Sequence, residues 1–162
     1  MPSGQPCLSF RPFVRADLAL LGPWLAGSGL SVPALAPDQL ARRLIQDPGI
    51  LCQAACDGGQ PVGFMRLDLA PDHAAEVTLI VAPQHQRRGI GRALLEHGLE
   101  LARERGWERL WALVRSENVA AQRLFEMLGF EHGASPLHGY AHLLRLVHRR
   151  PSGMVAPLEI AP

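Results

Sequence analysis

Two glycines separated by one residue, Gly89 and Gly91, stand among arginines in Gln86-Arg87-Arg88-Gly89-Ile90-Gly91-Arg92-Ala93, where a β-favouring run gives way to an amphipathic one. The chemistry such a segment can do is anion binding. The first turn of a helix has unpaired backbone N–H groups and a partial positive charge, and both favour an anion placed there. Gly89 and Gly91 remove the Cβ atoms that would hold a phosphate off the backbone, while Arg87, Arg88 and Arg92 add donors and charge. A pyrophosphate fits this turn. A dinucleotide fingerprint does not, because the third glycine position is Leu94 and no acidic residue follows in a suitable strand. A P-loop fails for want of Gly-Lys-Ser or Gly-Lys-Thr.

The elements that must hold the turn can be read on either side of it. Glu76 to Val81 is almost entirely β-favouring and ends at Ala82-Pro83, where proline removes a backbone donor. Gly89 to Arg105 carries Ile90, Leu94, Leu95, Gly98, Leu99 and Ala102 at helical spacing, with Gly106 as its stop. Leu110 to Val114 reads as a strand, Glu117 to Leu128 as a helix, and His142 to Val147 as a closing strand. Upstream, a first strand holds Leu8, Phe10 and Phe13, and Asp17 is placed to cap a helix carrying Leu18 to Leu25 that Pro23 limits. A second helix starts near Pro37 and stops at Asp47-Pro48-Gly49. Ile50 to Cys56 and Val62 to Leu69, joined by Asp57-Gly58-Gly59-Gln60, form an antiparallel hairpin. This order predicts a mixed α/β fold.

Composition narrows the function classes. The chain has 162 residues, 48% hydrophobic and 19% charged, which suits one domain over residues 1–150 with a tail over 151–162. No apolar run approaches the roughly 20 residues of a membrane span. The opening Met1-Pro-Ser-Gly-Gln-Pro-Cys7 lacks the basic cluster and apolar core of a secretory signal, so a cytoplasmic protein with reduced thiols is expected. Cys7, Cys52 and Cys56 have neither disulfide nor zinc spacing, and the histidines match no metal motif, so no metal is expected. A net charge of +1 gives no field to gather a polyanion, so no nucleic-acid partner is expected, and edge strands permit a monomer or a homodimer. Trp107 and Trp111 read as core.

Gln86-Arg-Arg-Gly-Ile-Gly91, preceded by Val81-Ala-Pro83, resembles the Gln/Arg-x-x-Gly-x-Gly/Ala motif of the GNAT acetyltransferase superfamily. Asn118-x-x-Ala-x-x-x-Phe125-Glu-x-x-Gly-Phe130 is similar to that family's second signature. Residues 76 to 131 look most like ribosomal-protein alanine N-acetyltransferases, and the N-terminal third is similar to the openings of aminoglycoside and ribosomal acetyltransferases. The resemblance implies a mostly antiparallel sheet, flanked by helices, splayed into a V where Glu76 to Val81 parts from Leu110 to Val114. It implies acetyl-coenzyme A as donor, with pyrophosphate on residues Gln86 to Ala93. Pantetheine would lie between the parted strands, held by the backbone of Ile80 and Val81 and lined by Asn118 and Phe125.

Acetyl transfer to an amine needs a proton acceptor. Asp68, Asp72, His73 and Glu76 are the candidates, and Glu76 is chosen because it begins the strand leading into the site, where many GNAT enzymes carry their base. The same relatives place a glutamate and a tyrosine where this chain has Leu113 and Phe125, which weighs against ribosomal N-terminal acetylation. The chain's single tyrosine, Tyr140, is the candidate acid, and Trp24 and Asp68 are candidate acceptor contacts. The reading is N-acetylation of a primary amine, whether a small molecule, an aminoglycoside-like polyamine or a peptide. The alternative is a non-catalytic acyl-coenzyme A binding or sensing module.

Overall fold

The computed structural model describes residues 6–26 and 37–147. The loop around Gly27 to Ala36, His148 and the tail lie outside the described residues. The hairpin signal at Asp57 to Gln60 holds: β2 (Ile50–Asp57) and β3 (Gln60–Ala70) pair antiparallel through Gly58 and Gly59, whose φ values of 57° and 84° are those a tight reversal needs. Around it lie β1 (Leu8–Pro12), β4 (Ala74–Val81), β5 (Arg109–Arg115), β6 (Glu131–Gly133) and β7 (Tyr140–Leu146). They form a seven-stranded sheet in the order β1-β2-β3-β4-β5-β7-β6. Every neighbouring pair is antiparallel except β4 with β5.

Because side chains alternate along a strand, the sheet has two different faces. Met65, Leu67, Ala75, Val77, Leu110, Ala112 and Leu143 meet α3 (Ile90–Arg105) and α4 (Val119–Met127) in the larger core. Helix α3 comes down closely on β3, since a Cβ on Gly98 would stand 2.7 Å from Met65 Sδ. The other face carries Cys52, Ala54, Phe64 and Ile80, packed against Leu21 and Trp24 of α1 (Leu18–Ala26) and against Leu44, just beyond α2 (Pro37–Ala41).

Three local expectations change. Asp17 does not stand at the N-cap of α1: Val14 begins a 3-10 turn over Arg15–Asp17, and the buried Asp17 carboxylate accepts the Val14 N–H at 2.9 Å while ion-pairing with Arg11. Pro23 lies inside α1 with its ring exposed, and burial of Leu21 and Trp24 on either side carries the helix through it. Strand β6, three exposed residues with no alternation of hydrophobicity, left no trace for sequence reasoning.

Candidate active site

Strands β4 and β5 pair over three positions, Ala74 with Arg109, Ala75 with Leu110 and Glu76 with Trp111, and then separate. Beyond Glu76, β4 stays bonded to β3 and β5 to β7, so among the described residues the facing edges of Val77–Val81 and Ala112–Arg115 make no ladder across the gap. The sheet is therefore splayed into a V with Glu76 and Trp111 at its vertex. Two helix N-termini flank its mouth. Past Val81 the chain turns through a 3-10 segment, Pro83–His85, into α3, and past Arg115 it enters α4.

The turn before α3 has the backbone an anion cradle requires. Arg87 has φ of 62° and Gly89, the N-cap, has φ of 81°, while no side chain caps the helix. Nothing lies within 4 Å of where a Gly89 Cβ would stand. Gly91 has a different role, because a Cβ there would come within 3.2 Å of Leu124 and 3.7 Å of Val81, so it brings α3 against α4 and β4. Gln86, Arg87, Arg88 and Arg92 are exposed; Arg92 pairs with Glu96 at 3.0 Å. Ile90 is buried and the Ala93 N–H donates to Gly89 O, so both anchor the turn. His85 Nδ1 is buried in the same segment, and no hydrogen-bond partner is found for it among the described residues. Across the mouth, Asn118 caps α4 by accepting the Ala121 N–H at 3.1 Å. Phe125 is buried beneath, its ring edge-on to Phe130 at 5.0 Å.

On the α1 face the vertex carries titratable groups. Register places Asp68 opposite Glu76 and Cys52 opposite Arg66, and Arg66 Nε donates to Asp68 Oδ2 at 2.7 Å. Burial first, and then the Asp68 charge, raise the Glu76 carboxyl above the ordinary carboxylate range, against an opposing pull from Arg66. Burial holds the neighbouring Cys52 thiol up at about 12. Tyr140 faces the same way but pairs with Arg115, four residues beyond Trp111 on β5. That is roughly 13 Å along the strands from Glu76. Asp72 and His73 are exposed in the β3–β4 turn with φ of 62° and 54°, at the end of β4 away from α3. Trp24 is 6% exposed and packs on Phe64 at 4.9 Å between ring centroids.

A splayed β4–β5 pair beside an uncapped α3 is the arrangement against which known proteins can be compared. The description that matches this chain is the Acetyltransferase (GNAT) family, over residues 24–130. The chain belongs to the GNAT family. The GNAT match takes in both parted strands and the starts of α3 and α4. The ribosomal protein bS18-alanine N-acetyltransferase of Escherichia coli strain K12 is 42% identical over 72 residues, which are 44% of this chain and 49% of that protein. The chain thus spans about half the length of the curated relatives it matches. A spermidine N-acetyltransferase from Vibrio cholerae, solved in complex with CoA and spermine, superposes with a TM-score of 0.75 at 21% identity, covering 86% of this chain and 95% of that one. The ribosomal-protein-S18-alanine N-acetyltransferase from Escherichia coli gives 0.71 at 24% identity, over 91% and 98%. At these identities the likeness establishes the GNAT fold.

Within this GNAT site two residues escaped sequence reasoning. Trp111 is not core: it is half-buried on the Glu76 face, edge-on to His142 at 5.7 Å. His142 sits opposite Leu113 on that face, with Nδ1 3.2 Å from Ala134 O. The alternation along β5 held the signal, since Leu110, Ala112 and Val114 are the buried set and Trp111 falls between them.

Proposed function

We propose that the protein is an acetyl-coenzyme A dependent N-acetyltransferase that transfers the acetyl group to a primary amine by direct attack within a ternary complex. The observation that carries this reading is the parting of β4 from β5 at Glu76, next to an uncapped helix start with open space above Gly89. The donor's pyrophosphate is assigned to the turn Gln86 to Ala93, where Arg87 and Arg88 face solvent and His85 Nδ1 offers a buried polar atom for a ligand to satisfy. Its pantetheine is assigned to the gap, as an added strand on the free edge of Ile80 and Val81. Asn118, whose side-chain oxygen is taken by capping, keeps its amide nitrogen as a donor there, and Phe125 supports that wall from within.

Glu76 is the proton acceptor in this scheme. The amine nitrogen attacks the thioester carbon as Glu76 takes its proton, directly or through water, the C–S bond breaks, and coenzyme A leaves as a thiolate. Tyr140 stands well along the strands from Glu76, so protonation of that thiolate by water is the simpler step. The raised Cys52 thiol is a poor nucleophile, which favours direct attack over an acetyl-cysteine. The acceptor is a small-molecule or peptide amine. Incubation with acetyl-coenzyme A and a panel of amines, following thiol release, tests the proposal. Saturable donor binding with no release on any amine would make the protein an acyl-coenzyme A binding module instead.

A further inference from the structure

Arg66, Asp68 and Glu76 share one face of the sheet, with Asp68 directly opposite Glu76 across the antiparallel β3–β4 pair. Opposed side chains in such a pair leave the backbone only about 5 Å apart, and like charges there repel. Arg66 pairs with one carboxyl and not the other. Its Nε donates to Asp68 Oδ2 at 2.7 Å, with the two side chains 34% and 24% exposed, and no bond from Arg66 to Glu76 is formed. Asp68 is thus the carboxyl paired with Arg66, and Glu76 is the carboxyl that faces it across the strand pair.

We propose that Asp68, held in place by its ion pair with Arg66 and directly opposite Glu76, is a positioning residue that strengthens Glu76 as a base. The inference rests on the reading of Glu76 as proton acceptor. A carboxylate of ordinary proton affinity is a weak acceptor for an ammonium near neutrality, and an adjacent fixed charge brings it closer to the working range. The direction fits: burial and then Asp68 hold the Glu76 carboxyl up, and Arg66 moderates the rise. The other titratable groups on this side of the sheet include Arg11 on β1, paired with Asp17, Cys52 and Cys56 on β2, Arg109 and Arg115 on β5, Glu131 on β6, and Tyr140 and His142 on β7; α1 carries no charged residue, and the exposed Asp38, Arg42 and Arg43 belong to α2 and the turn after it. None of them is opposite Glu76, whereas Asp68 is.

The test is a pH titration of the Glu76 side-chain carboxyl by carbon-detected NMR on the full chain, with the resonance assigned by its loss in Glu76→Gln. Asp68→Asn is expected to move the midpoint to lower pH, Arg66→Gln to move it to higher pH, and Asp68→Glu to leave it near the starting value. Opposite displacements from two neighbours are not what loss of packing produces. An unmoved midpoint in Asp68→Asn, or displacements of the same sign in Asp68→Asn and Arg66→Gln, overturns the proposal. With an amine that supports thiol release, the acid limb of kcat/KM should follow the same order. Glu76→Gln separates the two readings. If that variant retains turnover and its acid limb, Glu76 is not the base. If it loses turnover while Asp68→Asn leaves the midpoint in place, only the role of Asp68 falls. Where Arg66→Gln fails to fold, the Asp68→Asn and Asp68→Glu titrations still decide the matter.

Discussion

Glu76 and Trp111 face each other at the last register pair before β4 and β5 separate. A carboxyl and an indole are thereby fixed at the vertex of the V by the sheet itself, on rigid strands rather than on a loop. Replacing Glu76 by glutamine keeps the shape and removes the proton acceptor. The expected result is a fall in kcat/KM for the amine of about 10²- to 10⁴-fold with unchanged affinity for coenzyme A. Isothermal titration with coenzyme A, set beside thiol-release kinetics, measures both quantities.

The two glycines of the α3 turn should fail differently when substituted. Gly89 has φ of 81° with nothing close to its Cβ position, so Gly89→Val strains the backbone by about 1–2 kcal/mol and fills the space assigned to the pyrophosphate. Coenzyme A affinity should fall about tenfold or more, with a modest change in Tm. Gly91→Val instead drives a side chain toward Leu124 and Val81, so its Tm should fall further than that of Gly89→Val. Equal coenzyme A affinity in Gly89→Val and the parent protein would remove the pyrophosphate from this turn.

Most of the scaffold was legible because the strong signals were local. The Gly58-Gly59 reversal, the apolar stripe of α3 and the β-favouring run through Val81 each dictate one element without help from the rest of the chain. What escaped depended on tertiary placement. Whether Trp111 belongs to the core or to the site is decided by which face of β5 meets α3. That Asp17 turns inward to Arg11 follows from the register of β1. The place of Tyr140, at the mouth of the V instead of its vertex, is set by a pairing to β5 that no local pattern encodes.

Two part-buried interactions should make the fold acid-sensitive in separate windows. His97, stacked on Phe10 at 4.2 Å and bonded to Gln53 at 3.3 Å, has its pKa lowered from 6.5 by burial, with Glu104 and Glu100 pulling the other way. Its stabilisation is present above 6.5 and is lost as pH falls from there through the lowered folded value. For Asp17, burial raises the pKa, but the hydrogen bonds from Arg11 and the Val14 N–H, with the Arg11 charge, outweigh it and leave the carboxyl below 3.8. That contribution is complete above 3.8 and disappears as pH falls through the folded value. Thermal melts should show one decline below pH 6.5 and a second below 3.8. Asp17→Asn should abolish the second and cost about 1.5–3 kcal/mol at neutral pH, the range for hydrogen bonds to a charged group, and an unaltered melting profile would count against the pair.

Thiol reactivity provides an independent check on direct transfer. Cys52 stands opposite Arg66 on the face that carries Glu76, with β3 between it and β4, and is the thiol that an acetylated intermediate on this face would need. Its surroundings oppose that role, because burial holds the thiol at about 12 and only 8% of the residue is exposed. Cys7 is exposed and Cys56 is buried. Iodoacetamide at neutral pH should therefore label Cys7 in the folded protein and reach Cys52 and Cys56 only after denaturation. Cys52→Ala should keep kcat within about threefold of the parent protein, since a protonated, enclosed thiol has no part in an attack that the amine makes directly. Mass spectrometry after mixing with acetyl-coenzyme A in the absence of any amine reads the same point from the other side. An unmodified mass agrees with direct attack, whereas stoichiometric acetylation at Cys52 would replace it with a two-step route through the enzyme.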